Sequence, residues 1–105
     1  MQKFVGAVRF NNAMPRADAL RYWRETHGPL VAKVPGLRKY IQNHAATAPE
    51  NDLQFDGTLE LWFDRLDAFQ TAAETPEWQA VMEDSAKFID MGRSWLVPAE
   101  EVSIL

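Results

Sequence analysis

Cysteine does not occur in this sequence of 105 residues. Disulfides, thiolate zinc sites, iron–sulfur clusters and thiol nucleophiles are excluded together, and the absence fits a cytoplasmic protein. Long apolar runs are missing as well, so no membrane span is expected. Met1-Gln2-Lys3 passes straight into an alternating pattern without the apolar core of a signal peptide, and no leader is expected. Excess positive charge is lacking: 11 Lys and Arg face 15 Asp and Glu, for a net charge of -4. A chain of that sign carries no general footprint for phosphates, which argues against nucleic acid as a partner. Arg16, Arg21 and Arg24, the densest basic cluster, are interleaved with Asp18 and Glu25, the pattern of a solvated helix face. The histidines and scattered carboxylates lack ligand spacing such as His-Glu-x-x-His, so no metal is expected. Five glycines form neither a phosphate loop nor a nucleotide fingerprint and serve as punctuation.

What remains is an ordinary globular composition, 47% apolar and 25% charged, in a chain of single-domain length covering residues 1–105. Lys3–Phe10 alternates, with Phe4, Gly6, Val8 and Phe10 on one side, and reads as a strand. Pro15 is placed to open a helix whose stripe Leu20, Trp23, His27, Leu30/Val31 and Val34 has helical spacing. Pro29 lacks an N–H and crowds the carbonyl of Glu25, so that helix should kink or loosen beside His27. Pro35-Gly36 stops it. Leu37–His44 and Gly57–Phe63 read as further strands, separated by a long polar loop over 45–56. Asp64 can cap a short helix carrying Leu66 and Phe69. Thr75, followed by Pro76, can cap another with the stripe Trp78, Val81, Met82, Ser85, Phe88 and Ile89. Ser94–Leu105 supplies a last strand with an extended tail.

The element order βαββααβ predicts a ferredoxin-like α+β sandwich, with helices on one face of an antiparallel sheet. Alternation assigns Tyr40, Gln42 and His44 from the second strand, with Glu60 and Trp62 from the third, to the other face. That mixture suits a wet, aromatic-walled cavity completed by a second copy of the chain.

The run Tyr22-Trp23-Arg24-Glu25-Thr26-His27-Gly28-Pro29-Leu30, followed by Val34-Pro35-Gly36-Leu37-Arg38-Lys39-Tyr40-Ile41-Gln42-Asn43-His44, closely resembles the EthD family, as does Asp56-Gly57-Thr58-Leu59-Glu60-Leu61-Trp62-Phe63-Asp64. The resemblance extends over nearly the whole chain. It implies a homodimeric α/β barrel and cofactor-free proton chemistry on small, largely apolar, oxygenated molecules, of isomerase, cyclase or dehydratase type. In the isomerase branch the functional histidine and tyrosine match His27 and Tyr40. That branch also has a cysteine where this chain has Leu61, which speaks against lactone isomerisation in that form.

Three residues are candidates for catalysis. His27 would take or relay a proton, since an ordinary imidazole titrates near neutrality. Tyr40 would stabilise a developing oxyanion. Glu60, costly to bury unpaired, would either pair with a histidine or carry a raised pKa. Trp62, His44, Gln42 and Asn43 are candidates for binding a small aromatic, polyketide-like or lactone substrate. Each also has a structural reading: a core histidine satisfied by a carbonyl near Pro29, a wall tyrosine, a structural ion pair at Glu60. Two rival functions share the fold. One is a cofactorless monooxygenase in which Trp62, Tyr40 and Asn43 hold a phenol; the other is a non-catalytic small-molecule-binding protein.

Overall fold

The structure, a computed structural model, describes all of Met1–Leu105. Four strands, β1 (Gln2–Val8), β2 (Lys39–His44), β3 (Gly57–Phe63) and β4 (Trp95–Ala99), form an antiparallel sheet in the order β2-β3-β1-β4. Helices α1 (Arg16–Tyr22), α2 (Gly28–Ala32), α3 (Leu66–Ala72) and α4 (Pro76–Ser85) complete the ferredoxin-like pattern. No helix is long and apolar enough to cross a membrane.

Register decides which side chains meet. Tyr40 pairs with Leu61, Gln42 with Leu59 and His44 with Gly57, whereas Ile41 pairs with Glu60 and Lys39 with Trp62. Directly opposed residues of an antiparallel pair share a face. Tyr40, Gln42 and His44 therefore lie on the helix side, with Leu59 and Leu61, and Glu60 and Trp62 lie on the other. This corrects the grouping expected from alternation, which put all five together.

Between α1 and α2 the helix widens into one π turn, Trp23–His27, closed by the Gly28 N–H donating to the Trp23 carbonyl. The loosening expected at Pro29 takes this form: with no N–H at Pro29, the Glu25 carbonyl loses its helical partner, and a five-residue hydrogen bond replaces the regular one beside it. The wider turn presents both Trp23 and His27 inward; both are buried. Gly36, at φ 82, turns the chain from α2 toward β2. Thr75 caps α4 by accepting from the Trp78 N–H at 3.2 Å. Asp64 does not cap α3. It pairs instead with Arg38 at 3.0 Å, and Arg65 occupies the cap position without a side-chain bond.

The core fills the space between helices and sheet in two clusters, one around Phe4, Leu61 and Phe63, the other around Val8, Trp23 and Phe88. Trp23, Phe63 and Phe88 are the largest fully buried side chains, each stabilising the fold by roughly 1.5–3 kcal/mol through burial. Gly57 lets the indole in: a Cβ there would stand 2.3 Å from the Asn43 carbonyl and 2.7 Å from Trp23 Cζ3.

Candidate active site

An apolar cavity of about 260 Å³ lies between the helices and the sheet. The π turn contributes Trp23 and His27, α2 contributes Val31, the sheet contributes Tyr40 and Leu61, and α4 contributes Trp78. Its polar wall residues are few: His27, Tyr40, Ser85 and Ser94. The Ser85 hydroxyl donates to the Val81 carbonyl at 2.8 Å, and Ser94 Oγ accepts from the Arg9 N–H at 3.0 Å. The cavity thus lies within one chain on the helix side of the sheet, not on the outer face where alternation located it.

His27 is 4% exposed, and its Nδ1 lies 2.8 Å from Asp84 Oδ2. The Tyr22 hydroxyl donates to the other oxygen, Asp84 Oδ1, at 2.5 Å. Burial works against the charge of Asp84, yet the donors Tyr22 and His27 outweigh it and hold the carboxyl below its usual range. The same bond, aided by burial, pushes the Tyr22 hydroxyl up to about 12. Burial depresses the His27 imidazole against the pull of Asp84. At neutral pH the arrangement is therefore an ionised Asp84 accepting from a protonated Nδ1 of a neutral imidazole. The tautomer leaves Nε2 as a lone pair with no partner in the chain, on a ring that lines the cavity. Asp84 was missing from the sequence reading. Its signal was position: it falls three residues after Val81 and four before Phe88, on the margin of the inward stripe.

A second polar chain meets this cavity only through Tyr40; Gln42 and His44 line an adjoining, more open pocket with Arg24, Gly28 and Pro29. Gln42 Nε2 donates to the Trp23 carbonyl at 2.9 Å and to the Tyr40 hydroxyl at 2.6 Å. His44 Nε2 lies 2.8 Å from Gln42 Oε1, and its ring stacks on Trp23 with centroids 4.8 Å apart. Burial pushes the Tyr40 hydroxyl pKa up, with Gln42 and Trp23 opposing. Burial and the nearby Arg24 and Arg16 hold the His44 imidazole down.

The remaining candidates lie elsewhere. Glu60 sits on the outer face, 2.7 Å from Lys3 Nζ, and accepts from Asn43 Nδ2 at 3.2 Å. It pairs with a lysine and not a histidine, and Lys3 with Asn43 holds its pKa below the ordinary value instead of raising it. Trp62 carries the ammonium groups of Lys3 and Lys39 over its ring, at 5.1 and 4.7 Å. Glu60, Trp62 and Asn43 therefore form one outer cluster, separated from His27 and Tyr40 by the sheet itself.

A model of the EthD domain matches residues 11–92. The chain belongs to the EthD family. Among solved structures, this EthD domain is similar to an EthD family protein of Bacillus halodurans, with 26% identity and a TM-score of 0.76 over 97% of this chain and 100% of that one. A dimeric ferredoxin-like protein of unknown function from Thermobifida fusca shares the fold at 16% identity and TM-score 0.72, covering 93% and 88%. So does SnoaB, a cofactor-independent oxygenase from Streptomyces nogalater, at 12% identity and TM-score 0.64, covering 99% and 95%. No curated protein sequence matches the EthD chain significantly.

Proposed function

We propose that this EthD protein is a cofactor-independent acid/base catalyst for a small, neutral, largely apolar carbonyl compound, of isomerase, cyclase or dehydratase type. The observation that carries the reading is the Tyr22–Asp84–His27 chain: a buried carboxylate fixes the imidazole so that a free Nε2 borders an apolar cavity. His27 Nε2 takes a proton from the carbon beside the carbonyl. The electrons of that C–H bond become the C=C of an enolate, and the charge arriving on oxygen is met by the Tyr40 hydroxyl. Return of the proton from His27 to another carbon completes an isomerisation; delivery of that proton to a β-hydroxyl, which leaves as water while the enolate re-forms the carbonyl and a C=C bond, completes a dehydration. At about 30 Å³ per water in the liquid, the cavity's 260 Å³ is sized for a one- or two-ring molecule. The monooxygenase alternative loses its proposed constellation, because Trp62 and Asn43 are on the face opposite Tyr40's hydroxyl.

A homodimer belongs to the same proposal. The outer face offers the half-exposed Trp95 and Val97 beside Val5, Ile41 and Trp62. A second copy seated there would bury more than about 1,200 Å² in total. A neighbour of the same fold is described as dimeric.

The test of the chemistry is hydrogen–deuterium exchange at the methyl group of acetophenone, followed by NMR in heavy water. The protein should accelerate exchange, and His27→Gln should remove the acceleration while circular dichroism stays unchanged. Exchange that survives His27→Gln, or no acceleration for any aryl ketone of this size, contradicts the reading.

A further inference from the structure

The hydrogen bonds around Gln42 have a direction that can be read without seeing a proton. A backbone carbonyl only accepts, so the Gln42 atom 2.9 Å from the Trp23 carbonyl is its amide nitrogen. That same nitrogen is 2.6 Å from the Tyr40 hydroxyl. Tyr40 oxygen is therefore an acceptor there, and its own proton is turned elsewhere; no acceptor within the chain takes it. The amide's other end faces His44 Nε2 at 2.8 Å, so His44 presents an N–H. His44 and the Trp23 carbonyl together grip both ends of the amide and prevent it from flipping.

One further donor waits in the same wall. Trp23 Nε1 is the one buried side-chain nitrogen or oxygen in the protein without a hydrogen-bond partner. The indole's benzo edge, Cζ3 and Cη2, lies against Gly57. Leaving such a group unsatisfied is costly.

We infer that the cavity selects its ligand through one hydrogen-bond acceptor oxygen, which meets a Tyr40 hydroxyl held as an obligate donor by Gln42 and His44. The class is carbonyl compounds, such as ketones, lactones or quinones, with an apolar body for the cavity, whose own wall holds no Lys or Arg; Arg24 borders the adjoining pocket that Tyr40, Gln42 and His44 line. Burial raises the Tyr40 pKa and the Trp23 side chain is among the groups that oppose it, so an acceptor brought to Tyr40 arrives beside the indole. The inference rests on the reading of Tyr40 as a donor to ligand given above, and it makes Gln42 and His44 positioning residues.

The experiment compares binding of acetophenone and ethylbenzene, which differ by the carbonyl oxygen, through NMR titration of the whole protein. The native protein should prefer acetophenone by about tenfold, the worth of roughly one hydrogen bond, and acetophenone alone should shift the Trp23 indole resonance. Gln42→Glu places an acceptor where the donor was, draws the Tyr40 proton toward itself, and should abolish the preference while ethylbenzene affinity stays within about twofold. His44→Phe, which keeps the stack on Trp23, should reduce the preference severalfold; it serves if Gln42→Glu does not fold. Equal affinity of the native protein for the two probes overturns the inference, as does a preference untouched by both variants. His27→Gln separates this inference from the catalytic one. It should stop proton exchange yet leave the acetophenone preference intact, so a preference without exchange in any form of the protein defeats only the catalysis.

Discussion

The two faces of this sheet carry similar numbers of polar and aromatic groups, yet they use them in opposite ways. On the helix side, a half-buried Tyr22 and the buried Asp84 and His27 form a hydrogen-bonded chain that ends on a free nitrogen, and Gln42 and His44 orient Tyr40. On the outer side, Glu60 is satisfied by Lys3 and Asn43, and Trp62 is covered by two ammonium groups. Every charge on the outer face has a partner of opposite sign or a ring beneath it, so nothing there is left over for chemistry. On the helix side the polar network is closed except at His27 Nε2, the Tyr40 proton and the Trp23 N–H. Unfinished hydrogen bonding, not the presence of titratable residues, distinguishes the candidate site from a structural cluster.

That contrast can be broken most decisively at His27 and Glu60. His27→Gln should lower catalysed proton exchange by on the order of 10²–10⁴-fold, while Glu60→Gln should leave it within about twofold in the same assay. Comparable losses in both variants would dissolve the distinction between the faces. The next largest effect is on folding. Trp23→Ala removes a fully buried indole and should destabilise by about 3–5 kcal/mol in urea unfolding. Trp62→Ala should leave urea unfolding nearly unchanged and act on dissociation of the proposed dimer, read by sedimentation.

Asp84→Asn sharpens the comparison further. It strips the carboxylate from both Tyr22 and His27, so the Tyr22 hydroxyl should return from about 12 toward its ordinary value of 10.0. Proton exchange should fall at least about tenfold as His27 loses its fixed tautomer. An unchanged Tyr22 titration in ultraviolet spectra would show that the bond is not made in solution.

The smallest expected effect is on pH and stability. His27 titrates lower in the folded chain than its ordinary 6.5 because of burial, so below that pH the unfolded chain binds more protons. Stability should therefore be fullest above about pH 6.5 and decline as pH falls, with a further decline where the depressed Asp84 carboxyl becomes protonated. Thermal melts at about pH 7 and pH 5 should differ less in His27→Gln than in the native protein, with the similarly depressed His44 supplying the remaining slope. Equal slopes would mean that His27 keeps its ordinary pKa on folding.

How far the sequence could be read follows from the strength of each local signal. The bounds 57–63 of β3 and the Thr75 cap were legible because strict alternation and a Thr-Pro start leave little choice. The loosened helix beside His27 followed from Pro29 alone. The side to which β2 points was not legible. It is an edge strand, and both of its alternating sets, Lys39, Ile41, Asn43 and Tyr40, Gln42, His44, mix polar with apolar groups. Alternation defines two faces but only pairing says which is inward, and a shift of one residue exchanges them. Glu60 was drawn toward the histidines by that exchange. Asp84 was invisible for a different reason: a carboxylate beside a helix's apolar stripe reads as solvated until a histidine and a tyrosine from another helix are brought to it.

The central claim is that Asp84 holds His27 as a neutral base with Nε2 free, and nitrogen NMR of the imidazole tests it without any substrate. Long-range proton–nitrogen correlation of selectively labelled histidine, assigned with His27→Gln and followed through a pH titration, reports which ring nitrogen carries the proton. The account predicts protonated Nδ1 and unprotonated Nε2 at neutral pH, with a titration midpoint below 6.5. A proton on Nε2, or a midpoint at or above that value, contradicts it.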